Sequence, residues 1–164
     1  MQSNRKGTVM DKNLLRLPVL TLIGGIILRI SDYVIIPVLS NGSSQWTGGM
    51  ETASFYIQLI ITIILFAVIG IILRRSYDRR TMIKSATLLV IYSIIVVVIE
   101  QLAIHFGAYN IIILWLYLPL EIFTSIAVLL SRIFNLESIN WIYIIPAIFS
   151  PYLFVLFVKK TNRR

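Results

Sequence analysis

The stretch Leu17–Leu39, LPVLTLIGGIILRISDYVIIPVL, decides how the chain is read. It is long enough to cross ~30 Å of hydrocarbon as a helix, yet it carries Arg29 and Asp32 near its middle. A charge at membrane depth costs roughly 2.5–3.5 kcal/mol on insertion scales. Two such groups are expected only where other helices supply partners, which makes this segment the centre of a bundle.

The rest of the chain agrees with a membrane setting. Of 164 residues, 58% are hydrophobic and 13% charged, against about 45–50% and about 25% in soluble domains. The net charge of +8 raises the question of nucleic acid. The basic residues, however, lie in short clusters beside apolar runs, which suits cytoplasmic loops and anionic headgroups instead. No nucleic-acid partner is expected; the bilayer is. With no cysteine, disulfides, thiolate metal sites and cysteine nucleophiles are excluded. Abundant isoleucine hints at a bacterial source and so at the inner membrane.

Residues 1–16 form a basic leader (Arg5, Lys6, Lys12, Arg16). It resembles the start of a signal peptide, but no small-x-small cleavage site follows, and a retained first span is expected. The turn NGSSQWTGGME (Asn41 to Glu51) lacks Lys and Arg. A second span over Ala53–Leu73 ends at RRSYDRR, where Arg74, Arg75, Arg79, Arg80 and Lys84 give the strongest cytoplasmic signal in the chain. Further spans are expected over Ile83–Ile104, Ile111–Ser131 and Trp141–Val158, before the basic tail 159–164.

The expected architecture is an all-α, polytopic transmembrane helical bundle of about five spans, one domain over 17–158, with its N-terminus cytoplasmic. Five spans put Arg132 in the cytoplasm and the basic tail outside, against the positive-inside bias. Four spans plus a re-entrant segment would keep every basic cluster inside. The fifth segment, with Pro146, Ser150 and Pro151, is the candidate for re-entry, since non-helical backbone at depth needs protein or water to satisfy it.

Helical spacing groups the polar residues into stripes. Thr21, Gly25, Arg29 and Asp32 share a face, as do Gln58 with Thr62, Ser93 with Glu100, and Tyr117, Glu121, Thr124 and Ser125. At ~1.5 Å per residue, Arg29 and Glu121 fall near mid-depth, with Gln58 and Glu100 roughly 7–10 Å outward. Arg29, Asp32, Gln58, Glu100 and Glu121 are therefore the candidate polar cluster. Arg29 against three carboxylates leaves two excess negative charges, which a dry interior tolerates only with a proton, a cation or water. The structural alternative is that Arg29 and Asp32 neutralise each other at i and i+3, with Glu100 solvated near the outer boundary and Glu121 acting as interhelical glue.

His105 lies at the outer end of the third span with no further ligands spaced for a metal, and reads as interfacial. Trp46, Tyr109, Trp115 and Trp141 suit the aromatic belt. H-E-x-x-H, G-x-S-x-G and P-loop motifs are missing, so neither an enzyme nor a cofactor is expected. Two functions lead, with a membrane enzyme third. One is a transport or permease-like component for a proton, cation or cationic solute, which at this size calls for a homo-oligomer. The other is a non-catalytic assembly, immunity or regulatory subunit of a larger membrane-protein partner.

Overall fold

The computed structural model describes residues 13–41, 45, 47–133 and 141–158. The leader through residue 12, Trp46 and the tail 159–164 lie outside them. The regular secondary structure of the described residues is all helix, with no strand among them. Three long helices come first: α1 (Arg16–Ser40), α2 (Gly48–Ser76) and α3 (Arg79–His105). Each is long and apolar enough to cross a membrane. After them come α4 (Ile111–Leu116), a 3-10 turn (Leu118–Leu120), α5 (Glu121–Ile133), α6 (Trp141–Phe149) and a 3-10 stretch (Ser150–Phe157).

Local chemistry explains the helix ends. Thr47 caps α2 by accepting from the Met50 N–H at 3.4 Å, and Asp78 caps α3 by accepting from the Thr81 N–H at 3.3 Å. Glu51 in the first turn of α2 and Arg74 and Arg75 in its last complement the helix dipole. At the end of α1, Asn41 takes the left-handed conformation (φ 44°) and its N–H bonds the Pro37 carbonyl, a C-cap that Asn adopts more readily than most residues.

The long-range bonds set the direction of each helix. At the start of α1, the Asn13 carbonyl accepts from the Tyr77 hydroxyl and the Leu14 carbonyl from Ser85 at 2.6 Å. The start of α1, the end of α2 and the start of α3 therefore share one end of the bundle. It carries Arg16, Arg74, Arg75, Arg79, Arg80 and Lys84, and is called the basic end below. Farther along, Asp32 pairs with Gln58, so α2 runs against α1. Ser125 meets Thr62 at 3.2 Å and Arg132 meets Glu51 at 2.9 Å. Thus α5 also runs against α2, and is parallel to α1.

The fourth segment consequently departs from the single span expected over Ile111–Ser131. The chain leaves α3 at His105, the end opposite the basic one. It descends through α4, turns over Leu118–Leu120, and climbs back through α5 to the end where Glu51 lies. Leu118 at the turn abuts Gly25, nine residues into α1, so the tip stops ~14 Å from the basic end of α1. Pro119 lies in this turn; lacking an N–H and disfavouring the α conformation before it, proline suits a break and not a helix interior.

Two expectations are corrected by this geometry. The chain reverses in the fourth segment and not in the fifth, because α6 and its 3-10 extension run toward the basic end. There Tyr152 meets Thr87 at 2.9 Å and Phe157 lies against Gly70. Arg132, expected beside the Arg-rich loop, sits at the opposite end, against Glu51 and 4.2 Å over the Phe55 ring.

Close packing holds the bundle together where lipid offers no hydrophobic drive between helices. A core of Leu17, Leu73, Met82, Leu89, Val96, Ile122, Phe123 and Phe154 is essentially fully buried. Phe154 stacks on Phe66 at 4.2 Å and meets Phe123 edge-on at 6.1 Å, which ties the last segment to α2 and α5. Ile30, Val34, Ile60, Ile63 and Ile64 remain exposed, the faces suited to acyl chains. α1 packs against α2, α3, α5 and the Leu118–Leu120 turn, the central position its buried charges called for.

Candidate intramembrane polar site

The site begins with two glycines. Gly24 and Gly25 have no Cβ where α1 meets the hairpin; a Cβ on Gly25 would lie 1.8 Å from the Leu118 carbonyl oxygen. That approach sets the depth of the hairpin tip. Arg29, one helical turn beyond Gly25, then faces Glu121, the first residue of α5. Its Nη2 donates to Glu121 Oε2 at 2.8 Å. The carboxylate therefore faces both a guanidinium and the N-terminal end of α5, where the helix dipole favours negative charge. Both side chains are mostly buried, with 30% and 22% of their surface exposed. Arg29 Nε is buried and makes no hydrogen bond to the described residues.

The structural alternative pairs Arg29 with Asp32 along the helix. They turn instead to different helices, Asp32 accepting from the Gln58 side-chain amide on α2. A cavity of about 160 Å³ is lined by Asp32, Gln58, Glu121, Thr124 and Ser125 among others. Ser125 on this lining also meets Thr62 across α2 and α5.

A larger cavity of about 470 Å³ is lined by Arg29, Ser93, Glu100, Tyr109, Tyr117 and Glu121 among others. Here Glu100 accepts from the Tyr117 hydroxyl. This replaces the solvated carboxylate of the structural alternative with a partnered one. Tyr109, Glu100 and Tyr117 all belong to the α3–α4 side of the hairpin, so this cavity approaches Arg29 from the end opposite the basic one. Glu121 and Thr124 line both cavities.

Four of the five candidates thus meet as two pairs; Asp32, Gln58 and Glu121 line the first cavity, and Arg29, Glu100 and Glu121 the second. The Tyr117 hydroxyl was legible only as part of a stripe with Glu121; the break at the turn sends it to Glu100 instead. The Glu51–Arg132 pair was missed. An acid in the first turn of α2 and a base in the last turn of α5 are each favoured by their own dipole, and that was its signal. His105 is exposed and meets Phe106 edge-on at 5.2 Å. Among the described residues, no group of three or more His, Asp or Glu is placed to hold a metal ion. Comparison with family models, characterised proteins and solved structures finds no match for the chain.

Proposed function

We propose that the chain is a small bacterial inner-membrane protein that crosses the bilayer four times and inserts the α4–α5 hairpin from the extracytoplasmic side. Lys- and Arg-rich short loops resist translocation. The Arg74–Arg80 loop and the start of α1 share one end, and the last segment runs toward it. Leader, loop and tail are then all cytoplasmic, which removes the charge conflict of five spans. A hairpin at depth is tolerated because α1 packs over its turn and α3 against α4.

Its function, on this reading, is transport of a proton, cation or cationic solute through the polar cluster, without catalysis. The observation that carries it is Glu121: it begins a half-helix at depth, faces Arg29 and borders both cavities. Ion and substrate sites of transporters are commonly built at such discontinuous helices. Intramembrane carboxylates mark proton and ion paths. Glu121→Gln preserves size and hydrogen bonding but removes the charge. In reconstituted vesicles loaded with a pH-sensitive dye, this variant should lose proton- or cation-linked flux while keeping its fold. Flux equal to that of the unmodified protein would remove Glu121 from the path.

A second reading rests on a different observation. Each acid of the cluster already has a partner within the chain: Asp32 has Gln58, Glu100 has Tyr117 and Glu121 has Arg29. Such a satisfied network also suits a non-catalytic subunit whose polar residues only join helices, with a larger membrane protein as its partner. On that reading the unmodified protein gives no flux above empty vesicles.

A further inference from the structure

At the basic end, a groove of about 620 Å³ opens between α1 and α3. Leu15, just before α1, lines it with Val19 and Leu22 at i, i+4 and i+7; Leu88, Ile91 and Ile95 line it from α3 at i, i+3 and i+7. All six are exposed. The hairpin tip wedges over its upper end, where Trp115 and Pro119 close it and the Tyr92 hydroxyl donates to the Leu116 carbonyl at 2.8 Å. Below the tip none of the described residues covers the groove.

We propose that this groove binds an anionic phospholipid of the cytoplasmic leaflet, with an acyl chain along α1 and α3 and the phosphate on Lys84 and Arg16. Depth fits the chain: Leu15 to Leu22 spans ~10 Å, inside the ~15 Å of one hydrocarbon leaflet. Charge fits the headgroup. Lys84 is one turn below Leu88 on the same face of α3, and Arg16 adjoins Leu15; both are exposed. The acid of the described residues at this end is Asp78, whose carboxylate is engaged by the Thr81 N–H. Trp115 also lies deeper than an aromatic belt requires. Opposite Leu22 and Ile95 it is 63% exposed, an indole facing acyl chain. The assignment rests on the basic end being cytoplasmic and is independent of any transport role.

Trp115 is the natural reporter. In a Trp46→Phe, Trp141→Phe background it is the single tryptophan, and bromine on a lipid acyl chain quenches it on contact. Brominated phosphatidylglycerol should outcompete brominated phosphatidylcholine at equal mole fraction. The preference should fall roughly fivefold with Lys84→Gln and again with Arg16→Gln, the ~1 kcal/mol that each basic group contributes at an anionic surface. Native mass spectrometry of the unmodified chain should show retained phosphatidylglycerol that the Lys84→Gln, Arg16→Gln variant has lost. Equal quenching by both lipids, or a preference that survives both substitutions, overturns the site. So does a dimer whose interface protects Trp115 from either lipid, since a second copy would then be the occupant.

Discussion

Gly25 and Leu118 touch backbone to backbone: a Cβ on Gly25 would sit 1.8 Å from the Leu118 carbonyl oxygen and 2.7 Å from its carbon. Because the obstacle is backbone, no rotamer change relieves it. Gly25→Ala should push the hairpin outward and lengthen the Arg29–Glu121 bond. Overpacking of this kind costs about 1–3 kcal/mol. The cost should read as a lower midpoint in thermal unfolding of the detergent-solubilised protein, with Gly24→Ala milder because its nearest obstacle is the tip of the Ile122 side chain. Equal tolerance of the two would mean that the hairpin does not seat on Gly25.

The hairpin has a topological consequence. The chain carries no cysteine, so single cysteines can be introduced cleanly. At Ser43 and Ser138 they should react with an impermeant thiol reagent in intact cells, and at Ser76 and Thr161 only after lysis. Labelling of Thr161→Cys with protection of Ser138→Cys is the pattern of five straight spans and would reject the hairpin.

The Arg29–Glu121 pair is expected to cost more broken than absent. Removing one partner of a buried pair costs 3–5 kcal/mol. With about a quarter of these side chains exposed, Arg29→Ala should cost roughly half of that. Replacing both, as Arg29→Met with Glu121→Leu, leaves no orphaned charge and should recover most of the loss. Thermal unfolding of the two single variants and the double one closes this cycle. A double variant less stable than either single one would show that the pair is not a unit.

At the basic end, Asp78 gives a pH dependence. The hydrogen bond from Thr81 holds its carboxyl below the usual carboxylate range. A carboxyl depressed in the folded state stabilises the fold above its unfolded pKa, and that contribution is lost as pH falls through the folded value. Asp78→Asn keeps a capping oxygen without the charge. It should therefore flatten the acid limb of the stability profile below about pH 4 and leave stability near neutrality little changed. An acid limb identical in both proteins would detach it from this cap.

The Glu51–Arg132 pair should contribute little. Glu51 is 64% exposed at its side chain and Arg132 35%, and exposed pairs are worth about 0–1 kcal/mol. Arg132→Gln should lower stability by no more than that, with most of the difference gone in high salt. A larger, salt-independent loss would point to the Phe55 ring beneath Arg132 as the main contact.

Sequence by itself determined what depends on composition and one-dimensional order. Three helices of membrane-spanning length, the basic end around Arg74–Arg80 and the residues of the polar cluster all follow from hydropathy, charge placement and the 3.6-residue period. These are properties of a segment and its solvent, so they need no knowledge of neighbours. Tertiary structure decided who meets whom. Arg29 and Asp32 are adjacent on one face, and spacing alone favours their mutual pairing; Gln58 and Glu121 take them because two other helices present better-placed partners. The run Ile111–Ser131 is apolar enough to read as a span. Its reversal depends on Gly25 giving the Pro119 turn a place to lodge, a backbone contact between residues 93 positions apart that no local pattern encodes.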